Sequence, residues 1–132
     1  MIICVTGTYG TTSLVHRLVY DTFSIIHKPT ILTTIYKENG FTIMDVPPSN
    51  KPHKCHILII TCRSQKDVVH IAEKWLGYHK YLIVAIINAP REQPLLCYRS
   101  YLISVNNMSR EGIQDILRLI HINTNTHHLK WS

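Results

Sequence analysis

Apolar residues follow two rhythms along this 132-residue chain. The first is a short, nearly unbroken run of aliphatic and β-branched residues. Met1-Ile2-Ile3-Cys4-Val5, the run His-Ile-Leu-Ile-Ile-Thr-Cys at 56–62 and the stretch 81–87 have this form, which suits strands buried on both faces. Residues 32–37, 41–44 and 98–105 read as further strands. The second rhythm is helical. Residues 11–23 set Leu14, Val15, Leu18 and Val19 on one stripe, with Thr11, Thr12 and Ser13 as hydroxyl caps. A helix capped by Ser64 turns Val68, Ile71, Ala72 and Trp75 inward, with Gly77 near its end. A last helix over 109–121 does the same with Ile113, Ile116, Leu117 and Ile120.

Breakers divide these runs. Pro29 stops the first helix from continuing. Asn39-Gly40 is a hairpin signal, because both central residues of a type I′ turn need positive φ. The prolines of 46–52 and 89–96 make loops. Residues 123–132 read as a polar tail beyond a single domain spanning 1–122. The resulting order, β-α-β-β-β-α-β-β-α, predicts an α/β sandwich with a mostly parallel sheet and one early hairpin. Ligands of such sheets sit beyond the carboxyl ends of the strands. That rule selects residues 7–12, Asp45, 61–64, Asn88 and Asn106.

Composition adds limits. The chain is 45% hydrophobic and 17% charged, so it can bury a core. Fourteen Lys and Arg against eight Asp and Glu give a formal charge of +6. The excess is scattered, and without a dense basic face nucleic-acid binding is the least favoured class. Cys4, Cys55, Cys62 and Cys97 lack a framework spacing, which predicts free thiols in a reducing, cytoplasmic setting. No signal peptide, membrane-length apolar run, N-myristoylation site or prenylatable C-terminal cysteine is expected. His53, Cys55, His56 and Cys62 suggest a metal cluster only superficially. His56 and Cys62 bound one strand, whose rise would separate them by ~20 Å. His127-His128 and Lys130-Trp131 are expected to be a solvated tail rather than a contact for an acidic surface.

The candidate chemistry lies in the first twenty residues. A strand, a tight turn Thr6-Gly7-Thr8-Tyr9-Gly10 and a helix N-terminus converge backbone N–H groups on one point, as phosphate binding requires. A phosphate loop has Gly, four residues, Gly, Lys, then Ser or Thr. Placing Gly10 at the second glycine puts Val5 at the first, Thr11 at the lysine and Thr12 at the Mg²⁺-binding hydroxyl. An ordinary strand-to-helix turn would also produce this pattern.

Over 1–122 the chain resembles a shortened small GTPase of the Ras and Rab type. Val5-Thr6-Gly7-Thr8-Tyr9-Gly10-Thr11-Thr12-Ser13-Leu14 is similar to the phosphate loop, and Pro29-Thr30-Ile31 to the switch I segment. Met44-Asp45-Val46-Pro47-Pro48 stands at the Asp-x-x-Gly turn, Asn88-Ala89-Pro90-Arg91 at Asn-Lys-x-Asp, and Asn106-Asn107-Met108 at Ser-Ala-Lys. Gly112-Ile113-Gln114-Asp115 resembles the opening of the last helix. The resemblance implies a three-layer P-loop NTPase-like fold lacking the switch II and fourth helices. It also implies vestigial nucleotide contacts at Gly7, Gly10, Thr11, Thr12, Thr30, Asp45 and Asn88. If a nucleotide bound, Mg²⁺ would sit on Thr12, Thr30 and Asp45.

The departures fall on chemistry. Thr11 replaces the phosphate-binding lysine, and Pro48 replaces a glycine whose N–H meets the γ-phosphate. Ser49 replaces the water-orienting glutamine, and Arg91 replaces the guanine-binding aspartate. GTP hydrolysis is expected to be lost, with neither GTP nor Mg²⁺ a firm cofactor. The expected role is a non-catalytic module in trafficking or signalling that binds a regulator or effector of small GTPases. A homodimer is a further option, since a missing switch II helix would leave a sheet edge or face open. A divergent nucleotide-binding protein, with Lys28 or Lys51 supplying the missing charge, is the alternative. The compact style also resembles a reduced, virus-encoded copy of a cellular GTPase.

Overall fold

The computed structural model describes residues 1–20, 33–38, 41–89, 100–106 and 109–131. Thr30 and the rest of the switch I-like segment, Asn39-Gly40, Arg91, Cys97 and Asn107-Met108 lie outside them. The elements are β1 (Ile2–Gly7), α1 (Thr11–Tyr20), β2 (Thr34–Glu38), β3 (Phe41–Asp45), β4 (Ile57–Cys62), α2 (Val69–Lys74), β5 (Tyr81–Ile87), β6 (Tyr101–Val105) and α3 (Ile113–Trp131). They form one six-stranded sheet in the order β2-β3-β1-β4-β5-β6. Only β2 runs antiparallel, pairing with β3 from Thr34↔Asp45 to Glu38↔Phe41. The expected α/β architecture, mostly parallel sheet and early hairpin are all present.

Strand alternation explains the layering. On β4, Ile57 and Ile59 face one cluster while Leu58, Ile60 and Cys62 face another. On β5, Ile83, Ala85 and Ile87 separate from Leu82, Val84 and Ile86 in the same way. The first cluster is covered by Leu14 and Val15 of α1 and by Ile113, Ile116 and Ile120 of α3. The second is covered by Val68, Ile71, Ala72 and Trp75. Helices therefore lie on both faces, and the doubly apolar runs are the strands between them.

Several boundaries differ from the sequence reading. Ser64 makes no side-chain cap, and a 3₁₀ turn, Gln65–Asp67, precedes a short α2. The last helix starts at Ile113, because an Asn106↔Glu111 bridge occupies the chain before it. Its backbone continues to Trp131, through most of the stretch read as a polar tail. No helix occurs in 46–56. That absence does not open the sheet face, however. Leu58, Ile60, Val84 and Ile86 are all fully buried. No helix among the described residues is long and apolar enough to cross a membrane.

Candidate functional site

The strand order makes β1 the point from which connections leave in opposite directions. The chain goes from β1 through α1 to β2 and β3 on one side, then to β4, β5 and β6 on the other. In open parallel sheets the crevice at such a point is the expected ligand site. Here it holds the turn Thr8–Gly10, the start of α1, Asp45 at the end of β3, and Thr61 to Arg63 at the end of β4.

The turn is closed down onto β4. Val5, Thr6 and Gly7 remain in β1 and pair with Ile59, Ile60 and Thr61. The Thr8 N–H donates to the Thr61 carbonyl at 3.0 Å. A Cβ on Gly7 would lie 2.1 Å from that carbonyl oxygen and 2.2 Å from Thr61 Oγ1. Gly7 is thus a close-approach glycine of the sheet. Thr61 Oγ1 donates its one proton to the Thr6 carbonyl at 3.4 Å. The Thr11 and Thr61 hydroxyls share a hydrogen bond at 2.7 Å. The residue standing in the lysine position points into the sheet. A phosphate cradle needs free backbone N–H groups, and that of Thr8 is already taken by Thr61.

Gly10 has φ +72°, a left-handed conformation that suits glycine, and its carbonyl accepts the Leu14 N–H at 3.0 Å as the first helical bond. The hydroxyls of Thr11 and Thr12, read as helix caps, reach instead to β4 and β3.

The other half of the crevice is different in character. Thr12 Oγ1 donates to Asp45 Oδ2 at 2.9 Å. Asp45 is 2% exposed, and its Oδ1 is buried without a hydrogen-bond partner. Burial pushes its pKa up, while the Thr12 bond and nearby His16 pull it down. His16 Nε2 lies 3.5 Å from the Tyr36 hydroxyl, and His16, Tyr20 and Tyr36 stack edge-to-face with centroids 5.9 to 6.2 Å apart. Burial also raises the Tyr36 pKa, with Asp45 and Tyr20 adding to it. Thr12 and Asp45 would fit a divalent cation, offering a hydroxyl and a carboxylate oxygen that lacks a partner.

Of the other sequence-derived residues, Asn88 is exposed in the left-handed region at φ +53°. Its N–H donates to the Val105 carbonyl at 2.8 Å, so its backbone joins β5 to β6. Asn106 Oδ1 accepts the Ser109 N–H at 3.0 Å and shapes the turn into α3. Lys51 is exposed on the loop before β4. Among the described residues no three His, Cys, Asp or Glu are grouped to hold a metal ion. Among the described residues, Arg63 brings a guanidinium to the turn, 5.2 Å from the Tyr9 ring centroid. Its position at a strand end was legible in the sequence, but its partner was not. Behind it, Lys74 Nζ donates to the carbonyls of Pro48 and Asn50, both at 2.8 Å, pinning the 47–50 turn to α2.

No protein-family model matches the chain, and no curated protein matches it closely enough to count as a relative.

Proposed function

We propose that the chain is a degenerate homologue of the Ras and Rab small GTPases that works in the cytoplasm as a non-catalytic interaction module. The observation that carries this reading is the set of contacts among Thr11, Thr61 and Thr6, which engages the side chain at the lysine position with β4. The Gly7 contact and the Thr8–Thr61 bond support it, since they hold the start of the turn, including the Thr8 N–H, against β4. Pro48 has no N–H for a γ-phosphate, and its carbonyl is held by Lys74. A surface pinned in this way suits constant display to a regulator or effector of small GTPases better than nucleotide-dependent switching.

A second reading, a divergent nucleotide-binding protein, is favoured by two observations: the Thr12–Asp45 pair with its unpartnered oxygen, and the Arg63 cation at the turn. Binding of fluorescent GDP and GTP to purified protein, with and without Mg²⁺, separates the two. No binding at high micromolar nucleotide, and no co-purified nucleotide by mass spectrometry, is the expected result. Binding that Thr12→Ala or Gly10→Val abolishes would overturn the non-catalytic reading. Loss of that binding with Arg63→Ala would identify the compensating charge.

A further inference from the structure

At the end of the sheet opposite the crevice, residues 53–56 form a strap that leads into β4. Its last residue meets β1 twice. The His56 N–H donates to the Ile2 carbonyl at 2.9 Å, and the Ile2 N–H donates to His56 Nδ1 at 3.1 Å. The imidazole thus stands in for a strand carbonyl, one residue ahead of the first β1–β4 pair, Ile3↔Ile57. On its other side the strap is tied to the turn before β5. The Cys55 N–H donates to the Tyr78 carbonyl at 2.9 Å, and the His56 carbonyl accepts from the N–H groups of Lys80 and Tyr81 at 3.2 and 3.0 Å. Cys4 lies beneath the strap, fully buried, with its Sγ 3.9 Å from the His53 carbonyl, and half-buried Cys55 packs on the same core cluster.

A ring nitrogen accepts a hydrogen bond only while it carries no proton, so the Ile2 link exists only with neutral His56, its proton on Nε2. The groups that face it favour the same state. The strap brings His53, Lys54 and Cys55. Cys4 and the amino group of Met1 come from β1, Tyr78, His79, Lys80 and Tyr81 from the turn, and Glu73 and Lys74 from the exposed side of α2. No Asp or Glu occurs between Asp45 and Asp67 or between Glu73 and Glu92, so strap and turn carry charge of one sign. We propose that His56 is an acid-operated latch, in which protonation at Nδ1 breaks the link to Ile2, frees the 53–56 strap from β1 and uncovers Cys4. The incoming proton lands where Ile2 presents its own N–H, so two donors then oppose each other. The new charge meets Lys54 and Lys80 with no carboxylate on either segment. The latch is closed above the ordinary histidine range, about pH 6.5, and opens as pH falls below it. His79 adds a bias of the same sign, because both its ring nitrogens are buried without a partner and burial lowers its pKa.

The test follows the reduced full-length protein by NMR and thiol labelling at about pH 7.5 and about pH 5. At the higher pH the ring-nitrogen shifts of His56 should show the Nε2–H tautomer. At the lower pH the Cys55 and His56 amides should exchange about tenfold faster after correction for intrinsic rates, while the Ile59 and Ile60 amides stay protected. Cys4 should react with 4,4′-dithiodipyridine about tenfold faster at the lower pH, each rate being taken relative to urea-unfolded protein at the same pH. His56→Asn offers an amide oxygen in place of Nδ1 and does not titrate, so it should keep the strap closed at both pH values. His79→Phe should leave the acid response in place, which separates the latch from the cost of burying His79. The proposal is overturned by an Nδ1–H tautomer at the higher pH, by equal relative Cys4 labelling at both pH values, or by an unchanged acid response in His56→Asn. It is equally overturned if Ile59 and Ile60 lose protection together with the strap, since the whole sheet is then opening. The tautomer and exchange data on the unaltered protein decide the matter even where a variant folds poorly.

Discussion

The two halves of the crevice contrast sharply. Around Thr61, hydroxyls, carbonyl and N–H are joined to the turn in one continuous set of bonds. Around Asp45, a carboxylate is buried with one oxygen bonded and the other unpartnered. The first arrangement ties the turn to β4. The second costs stability, because ionising a buried, half-satisfied carboxylate is unfavourable. Both halves hold an unpartnered buried oxygen, Thr6 Oγ1 in the first and Asp45 Oδ1 in the second, but only the second can carry a charge, and a costly buried charge marks a place shaped by something other than folding. The crevice beside β1 thus pairs a hydrogen-bonded turn on one side with a half-partnered carboxylate on the other.

The largest expected effect breaks the closed half. Gly7→Ala drives a Cβ into the Thr61 backbone, which cannot move without unzipping β1 from β4. A loss of about 3–4 kcal/mol is expected from urea unfolding, as for other sites of severe steric conflict. An unchanged midpoint would show that the turn is free to loop outward, and would reopen the phosphate site.

Asp45→Asn tests the open half with the opposite sign. The amide keeps an oxygen for the Thr12 hydroxyl and removes the buried charge, so a gain of about 1 kcal/mol at neutral pH is expected. The sign follows from the raised pKa of Asp45. Its contribution is fully present below the ordinary carboxylate range and is lost as pH rises through the raised value. The gain from Asp45→Asn should therefore shrink on acidification toward pH 4. A destabilised variant, or a pH-independent difference, would mean that the carboxylate is satisfied. His79 slopes the other way. Its ring nitrogens are buried without partners, and burial lowers its pKa. Its contribution is complete above about pH 6.5 and fades as pH falls through the lowered value. His79→Phe should flatten that acid limb in both backgrounds, which isolates the Asp45 effect.

Smaller effects sharpen the boundary between the halves. Thr11→Val removes one hydroxyl while Thr61 keeps its bond to Thr6, for a loss of about 0.5–1 kcal/mol in thermal melts. Thr11→Lys should not create GTP binding, because the strand pairing through Gly7 stays in place. Tight binding by Thr11→Lys would show that the missing lysine alone silenced the site. Lys74→Met releases the carbonyls of Pro48 and Asn50 and should cost about 0.5 kcal/mol or less, with faster amide exchange confined to 47–50.

What the sequence determined by itself is the architecture. Alternation within 57–62 and 81–87 sends neighbouring residues to opposite faces, and the periodic stripes of α1 and α3 supply one cover. These are properties of period and hydrophobicity, which nearby residues set. The crevice was located for the same reason, since strand ends follow from strand order. Its chemistry was decided only by tertiary structure. Thr11 read as a cap or a lost lysine, yet its partner Thr61 is 50 positions away. Asp45 read as a ligand, but its cost depends on burial and on Thr12, 33 positions away. Arg63 read as one scattered charge until the fold laid it over Tyr9. Hydrogen bonding and desolvation depend on which distant groups meet and how much water remains between them, and no local pattern in the chain encodes that.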